Sequence, residues 1–137
     1  AGQHYFYKRP RQLISSGGLG TMGFELPGAI GAQVACPDAE TWAICGDGGF
    51  QMTLQEMAVL VDEGLPVKIA IFNNGYLGMV RQWQQLLHGE RYSHSYSDSL
   101  PDFVKMAEAF GAVGIRADTP DELDEKILQI SGTSLTL

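Results

Sequence analysis

The stretch that decides the fold is TWAICGDGGFQMTLQEMAVLVDEGLPVKIAIFNN, residues 41–74. It opens with a short apolar run at 41–45 and closes with a second at 66–72, both rich in β-forming residues, which predicts two buried strands. Between them, apolar residues recur at helical spacing from Leu54 onward, so the predicted order is strand, helix, strand. A crossover helix of this length requires parallel strands, whose carboxyl ends lie at one edge of the sheet. The pattern therefore predicts an α/β fold.

Helix and strand patterns continue on both sides of this unit. Small and apolar residues at 27–36 predict a closely packed helix with Pro27 in its first turn. Residues 53–56 have the pattern of a capping box, which predicts where the central helix starts. The face of that helix is predicted to consist of Leu54, Met57, Ala58 and Val61. The other predicted elements are helices at 77–87, 102–110 and 120–130, a strand at 112–115 and a strand that stops at 134–137.

Composition limits the class of protein. A chain of 137 residues with 45% apolar content can bury one ordinary core, so a single domain is expected. The net charge of -7 without a basic block argues against nucleic acid or an anionic membrane as the main partner, and no apolar run is long enough to span a bilayer. Cys36 and Cys45 fit neither a disulfide framework nor a metal-ligand spacing and are predicted to be core residues. Because the chain starts at Ala1 and stops within a predicted strand, we expect a piece of a larger protein, truncated at both ends.

Polar residues follow both predicted strands, at the same edge of the sheet. Asp47 offers a carboxylate oxygen, the side chain of Asn74 offers an amide oxygen, and a backbone carbonyl after Asn74 can turn toward the same point. Such oxygen ligands suit Mg²⁺, which commonly completes its octahedron with water and phosphate oxygens. Gly46, Gly48 and Gly49 let the backbone approach a phosphate closely and offer amide donors at the start of a helix. The pattern predicts a metal-bridged diphosphate site.

Either motif alone is typical of an ordinary turn. Asp-Gly and Asn-Gly pairs are common turn sequences and carry little functional information by themselves. Here both motifs follow successive parallel strands, with 24 residues between Gly48 and Asn73, and that combination is far more specific.

The complete stretch GDGGFQMTLQEMAVLVDEGLPVKIAIFNN resembles the signature of thiamin-diphosphate enzymes. Its surroundings narrow the resemblance: SSGGLGTMGFELPGAIGAQVA, NNGYLGMVRQWQ, RYSHSY and PDFVKMAEAFGA are similar to the C-terminal cofactor-binding domain of the catalytic subunit of acetolactate synthase, also called acetohydroxyacid synthase. The similarity covers nearly the whole chain and is densest at 15–111. It implies a three-layer sandwich in which a central, mainly parallel sheet is flanked by helices.

The resemblance implies roles for the residues of the two loops. Asp47, the side chain of Asn74 and the main-chain carbonyl of Tyr76 are expected to bind Mg²⁺. Gly48 and Gly49 are expected to donate amide hydrogen bonds to the diphosphate. The other residues expected to contact the cofactor are Gly20, Met22, Gly46, Met52, Gly78 and Met79.

Four of the implied contacts involve large side chains. Met22 matches the residue wedged beneath the bent cofactor in this family, and Met52 and Met79 match residues that line the cofactor pocket. Trp83 matches the tryptophan that favours 2-oxobutyrate as second substrate, and Met79 and Trp83 together are expected to contact substrate or inhibitor. Without the resemblance, Trp83 would be interpreted as a core residue on an apolar stripe with Val80.

The implied reaction is the decarboxylation of pyruvate and its condensation with pyruvate or 2-oxobutyrate, in the biosynthesis of branched-chain amino acids. The resemblance implies that the glutamate that activates the cofactor belongs to an N-terminal pyrimidine domain of a partner subunit, and that FAD lies mostly on a middle domain. Neither domain is expected in this chain. The chain is therefore expected to hold no catalytic residue. The chain alone is therefore expected to bind weakly and to be inactive. The full enzyme is expected to be a homodimer or tetramer with a regulatory small subunit. Its expected location is the cytoplasm of a bacterium or a plastid or mitochondrion of a eukaryote, and the cytoplasm is favoured. Apolar surface left without its partner domains is expected to cause self-association.

Two alternatives and three departures accompany this interpretation. Another thiamin-diphosphate enzyme, of the pyruvate oxidase or glyoxylate carboligase type, would share the two motifs, and a non-catalytic Rossmann-like binding module would share the fold. Glu25 and Gly28 stand where the family pattern has small or apolar residues and alanine. Gly75 is expected to leave the metal loop looser than in relatives.

Overall fold

The computed structural model describes residues 4–131 of the chain. The predicted strand at 134–137 lies outside the described residues. Within them, the elements are α1 (Glu25–Ala35), β1 (Trp42–Gly46), α2 (Asp47–Gln51), a 3₁₀ turn (Leu54–Glu56), α3 (Met57–Asp62), β2 (Lys68–Phe72), α4 (Gly78–Leu87), α5 (Phe103–Ala109) and α6 (Pro120–Ser131). None of the helices in this part of the chain has both the length and the apolar character needed to cross a membrane.

β1 and β2 form a parallel pair, as the crossover predicts. The register runs from Trp42 opposite Lys68 to Gly46 opposite Phe72. Both strands therefore end at the same edge, where Asp47 follows β1 and the Asn-Asn-Gly loop follows β2. The α/β class, the parallel pairing and the common edge are confirmed.

The core lies between the sheet and the helices that contact it. α1 and α2 contact β1, and the ring of Phe50 on α2 meets the edge of Phe103 on α5 with centroids 6.0 Å apart. The buried apolar residues are Leu26, Ala29, Ala43, Cys45, Phe50, Met57, Leu60, Val67, Ile69, Ala107 and Ala112.

β1 is buried on one face rather than on both. Ala43 and Cys45 are buried, whereas Ile44 between them is 43% exposed. Side chains of a strand alternate between the two faces of a sheet, and among the described residues only the face with Ala43 and Cys45 is buried. The prediction of a fully buried first strand is wrong for the face that carries Ile44.

The central helix starts without the predicted capping box. No side-chain hydrogen bond caps the 3₁₀ turn at Thr53. The Thr53 hydroxyl donates instead to the carbonyl oxygen of Gly23, at 2.9 Å. The predicted cap is wrong because a tertiary contact uses the hydroxyl, which ties this turn to the loop before α1.

The buried face of α3 also differs from the prediction. Met57 and Leu60 are buried and Leu54 packs against the core, but Ala58 and Val61 are exposed. Leu60 lies three residues after Met57 on the same helix face, so Leu60 rather than Val61 faces the core.

No strand forms at 112–115 in the described part of the chain, where only Val113 makes a bridge. Gly114 instead approaches the backbone of α5 so closely that a Cβ on it would lie 2.8 Å from both Cα and the carbonyl oxygen of Val104. The prediction of this strand is wrong because the segment packs against a helix rather than pairing along its length.

Two features interpreted as core lie at the surface. The apolar stripe of α4 with Val80, Trp83 and Leu87, which would be interpreted as core without the family resemblance, is exposed. Cys45 is buried as predicted, but Cys36 is exposed because it follows the last turn of α1.

Candidate functional site

The site is organised around the carboxylate of Asp47. This side chain is only 1% exposed, and its two oxygens each accept a backbone hydrogen bond of 2.6 Å, Oδ1 from the amide of Gly48 and Oδ2 from the amide of Gly75. Gly48 belongs to the glycine-rich segment 46–49, called here the first loop, in which β1 ends and α2 begins, and Gly75 belongs to the second loop, which follows β2. The buried carboxylate of Asp47 thus joins the two segments that the sequence placed at this edge.

Gly75 holds the second loop in place. Its φ of +71° lies in the left-handed region, which glycine adopts without a Cβ penalty. Its amide donates to Asp47, and its carbonyl accepts a 2.9 Å hydrogen bond from the amide of Ser97. Both backbone groups of Gly75 are thus bonded across the fold, and the expectation that this loop is looser than in relatives stays a prediction.

Asn74 and Tyr76 shape the same loop. The side-chain oxygen of Asn74 accepts a hydrogen bond from the amide of Tyr76 at 2.9 Å, which closes a tight turn. Tyr76 pairs with Tyr96 in an antiparallel bridge, whose hydrogen bonds run through the carbonyl of Gly75 and the amide of Leu77. The Tyr76 carbonyl is therefore not one of the groups that form this bridge.

An aromatic and cationic cluster supports the bridge from the side of α4. The guanidinium of Arg81 lies 3.8 Å from the centroid of the Tyr76 ring and 5.6 Å from that of Tyr92. The rings of Tyr76 and Tyr96 lie 4.9 Å apart. Contacts of this kind contribute roughly 0.5–1 kcal/mol each at exposed sites, so they hold the loop through several weak interactions.

Gly48 in the first loop and Gly23 before α1 both lie where a Cβ would be crowded. A Cβ on Gly48 would lie 2.8 Å from Cδ2 of Leu77 and 3.8 Å from Cε of Met22. A Cβ on Gly23, whose φ is +82°, would lie 3.0 Å from Cβ of Met52 and 3.2 Å from the carbonyl oxygen of Gly49. The structure thus brings Met22 and Met52, both predicted from the sequence, against the glycine-rich loop.

The remaining predicted cofactor contacts lie at the ends of elements. Gly46 ends β1, and Gly78 begins α4 beside the Asn74 side chain, whose Nδ2 lies 3.6 Å from the position of a Cβ on Gly78. Gly20 is exposed with a φ of +64°, and its amide donates to the carbonyl of Ser16 at 2.7 Å.

Met79 and Trp83 line a separate cavity of about 590 Å³. All of its lining residues belong to α4 or to the segment after it: Met79, Val80, Trp83, Gln84, His88 and Arg91. The structure therefore groups the two predicted substrate residues with each other, on an exposed helix face.

Burial raises the pKa of the Cys45 thiol to about 12, and the nearby negative charge of Glu25 adds to this effect. Cys45 is consequently a neutral packing residue at the end of β1. The carboxylate of Glu25 lies against the same loop, with its oxygens 3.6 and 3.7 Å from the position of a Cβ on Gly49.

The geometry agrees with comparisons to known proteins. Residues 1–134 match the family described as thiamine pyrophosphate enzyme, C-terminal TPP binding domain. The chain belongs to this family. Thiamine pyrophosphate, or thiamin diphosphate, is the cofactor after which the TPP-binding domain is named.

The TPP-binding domain is similar to acetolactate synthases of several bacteria. It is 53% identical over 133 residues to an acetolactate synthase of Mycobacterium bovis and to an acetolactate synthase large subunit of Mycobacterium tuberculosis, which covers 94% of this chain and 22% of each relative. It is 48% identical over 127 residues to the acetolactate synthase isozyme 3 large subunit of Escherichia coli, which covers 93% of this chain and 22% of that relative. The chain thus spans about a fifth of the length of these curated relatives.

The residues of the TPP-binding domain fit a metal-bridged diphosphate. Asp47 supplies one buried carboxylate, and the two loops add neutral amide and carbonyl oxygens, the kind of donors that Mg²⁺ accepts. Within residues 4–131, no group of three or more His, Cys, Asp or Glu side chains could hold a metal ion. Gly49 lies in the first turn of α2, where amides lack an intrahelical acceptor, whereas the amide of Gly48 already donates to Asp47.

Sequence reasoning missed the residues that support the site. Ser95 is 1% exposed, its hydroxyl donates to Oε1 of Gln84 at 2.7 Å, and its carbonyl accepts from the amide of Leu77 at 2.8 Å. No local pattern marks these contacts, because they depend on how the segment after α4 folds back. Gly75 did carry a signal, since glycine after Asn-Asn indicates a left-handed turn residue.

Proposed function

We propose that this chain binds thiamin diphosphate through Mg²⁺, with Asp47, the side chain of Asn74 and the carbonyl of Tyr76 as protein ligands. The observation that carries the proposal is the buried Asp47 carboxylate, which is hydrogen-bonded to amides of both loops. Those bonds fix the charge at the sheet edge and leave other lone pairs for a cation. The amide of Gly49 then donates to the diphosphate, and Met22 and Met52 pack near it.

The protein that this domain serves is proposed to be an acetolactate synthase. Support comes from relatives that are 46–53% identical over more than nine-tenths of the chain and carry that name. Bound thiamin diphosphate supplies a carbon nucleophile that allows a 2-oxo acid such as pyruvate to lose CO₂ and join a second 2-oxo acid. Met79 and Trp83, which share the cavity on α4, are proposed to contact the second substrate, pyruvate or 2-oxobutyrate.

Further parts of the site are proposed to come from outside this chain. The activating glutamate belongs to an N-terminal pyrimidine domain, and FAD belongs to a middle domain. Several of the relatives are called large subunits, which supports a regulatory small subunit as a partner, and a homo-oligomer is proposed with it. The chain alone is therefore expected to bind the cofactor weakly and to lack turnover.

Because weak binding is expected, the test is an NMR titration of the ¹⁵N-labelled chain with thiamin diphosphate, with and without Mg²⁺. The amides of Gly48, Gly49 and Gly75 should shift only when Mg²⁺ is present. Asp47→Asn should weaken the Mg²⁺-dependent affinity for thiamin diphosphate by at least roughly 10- to 100-fold. A loss of that size already follows when a residue that only supports a metal ligand is replaced. Asp62→Asn, at the exposed end of α3, removes the same charge away from the site and should bind like the wild type.

Three results would contradict the proposal. They are shifts that do not depend on Mg²⁺, equal binding by Asp47→Asn, and no response in a chain whose spectrum shows that it is folded, including after addition of the N-terminal part of a relative. The last result would favour a non-catalytic binding module.

A further inference from the structure

Glu25 places a carboxylate against the glycine-rich loop. It is the first residue of α1, and its two oxygens lie 3.6 and 3.7 Å from the position that a Cβ on Gly49 would occupy. Gly49 has no side chain, so the carboxylate faces the backbone of the loop that is proposed to hold the diphosphate. Asp47 lies two residues earlier in the same loop.

One oxygen of this carboxylate is shielded without a partner. Oε2 of Glu25 has less than 1 Å² of accessible surface and no hydrogen-bond partner among residues 4–131. A buried polar oxygen without a hydrogen-bond donor is costly, so this atom is available to interact with whatever binds beside it. The charge of the Glu25 carboxylate adds to the effect of burial in raising the pKa of the Cys45 thiol in β1.

We propose that Glu25 weakens the binding of the diphosphate to this loop and makes that binding more dependent on a divalent cation. The inference rests on the proposed function, because it concerns the same diphosphate. A second anion beside a buried carboxylate is repelled, and the cation held at Asp47 offsets that repulsion. Glu25 thereby favours the metal complex of the cofactor over the free diphosphate, and it acts on the ligand through its charge.

The test compares Glu25→Gln with the wild type in the same NMR titration. Removal of the charge should lower the Kd for thiamin diphosphate about three- to tenfold, the size expected for one charge acting across a partly shielded distance. The gain should be larger at low Mg²⁺ concentration than at saturating Mg²⁺. Glu108→Gln, on the exposed side of α5, changes the net charge equally and should leave the Kd unchanged.

A graded set of ligands separates charge from shape. The gain in affinity of Glu25→Gln should be largest for thiamin diphosphate, smaller for thiamin monophosphate and absent for thiamin, which carries no phosphate group. A merely structural role of Glu25 would change all three alike. Glu25→Ala, which removes the carboxylate without a new polar group, should show the same order and serves if the glutamine variant folds poorly.

Each outcome decides between the two proposals. If the wild type binds with Mg²⁺ and Asp47→Asn does not, the proposed function stands, and an unchanged or higher Kd in Glu25→Gln overturns the inference alone. A higher Kd would mean that Glu25 bonds to the ligand. If only the Glu25 variants bind, the inference is supported in its strongest form. If none of the folded proteins binds any of the ligands, even after addition of the N-terminal part of a relative, the proposed function fails and the inference fails with it.

Discussion

Glycines of this chain differ in whether the surrounding atoms leave space for a side chain. Gly114 lies against the backbone of α5, where a Cβ would be 2.8 Å from the Cα and the carbonyl oxygen of Val104. Backbone atoms cannot rotate away as the end of a long side chain can. Gly31, on the exposed side of α1, has no heavy atom within 4 Å of its Cβ position.

These two glycines predict opposite results for the same substitution. Gly114→Ala should lower the free energy of unfolding by about 1–3 kcal/mol, because α5 must move to relieve the clash. Gly31→Ala should raise it by roughly 0.5–1 kcal/mol, since alanine restricts the unfolded chain and favours the helix. Urea unfolding followed by circular dichroism measures both. Equal effects of the two substitutions would show that α5 and this segment do not pack as described.

At the residue scale, the sequence predicted the position of Asp47 better than its contacts. Its place directly after a strand put it at the sheet edge, and the structure has it there; its role as a ligand stays a prediction. The hydrogen bond to Gly75, 28 residues away along the chain, could not be derived from a local pattern. Neither could the position of Glu25 against Gly49, which requires α1 to pack on the loop.

At the scale of elements, the segment at 92–97 folds back onto the loop after β2. Its central residue, Ser95, bonds to Gln84 on α4 and to the amide of Leu77, and the next bond of the bridge joins Ser97 to Gly75. The position of the proposed metal loop thus depends on a segment that carries no proposed ligand.

Ser95→Ala should therefore affect the loop as well as stability. Loss of the hydroxyl leaves Oε1 of Gln84 without this donor and should cost about 1 kcal/mol. The amides of Leu77 and Ser97 should exchange with deuterium faster than in the wild type, and Mg²⁺-dependent binding should weaken. Ser99→Ala, at an exposed position just beyond the segment, is the matched control. Unchanged exchange at Leu77 and Ser97 would contradict the supporting role.

The start of α5 predicts a pH dependence of stability. Asp102 caps this helix, and the hydrogen bond from the amide of Lys105 is the largest cause of a pKa below the usual value of 3.8. A lowered pKa in the folded state means that the cap contributes stability above about pH 3.8 and loses it as the pH falls below that value. The difference in melting temperature between the wild type and Asp102→Asn should accordingly be larger at pH 7 than at pH 2.5. A constant difference would show that the charge of Asp102 does not matter to the cap.

At the scale of the whole molecule, apolar side chains remain exposed along α4. Leu86 is 74% exposed and belongs to a stripe that includes Trp83 and Leu87. A contiguous exposed apolar stripe on a helix is typical of surface that meets a partner. The chain covers about a fifth of its relatives' length, so other parts of such proteins are proposed to cover this face.

Self-association of the isolated chain is the resulting prediction. Sedimentation velocity should show species larger than a monomer that become fewer in Leu86→Gln. Leu128→Gln provides the matched control, because Leu128 on α6 is 76% exposed but lies outside this stripe. A monomeric wild type, or an equal effect of the two substitutions, would contradict the assignment of the surface to α4.

The sequence by itself determined the strand–helix–strand unit, the parallel pairing and the edge at which Asp47 and Asn74 lie. These features follow from apolar periodicity and from the geometry of a crossover, both of which are local properties of the chain. Only the tertiary structure decided which groups satisfy Asp47, that the Thr53 hydroxyl bonds to Gly23 rather than capping a helix, and that residues 112–115 pack on α5. Those outcomes depend on competition between partners distant in sequence, and such a competition is settled only when the elements pack together.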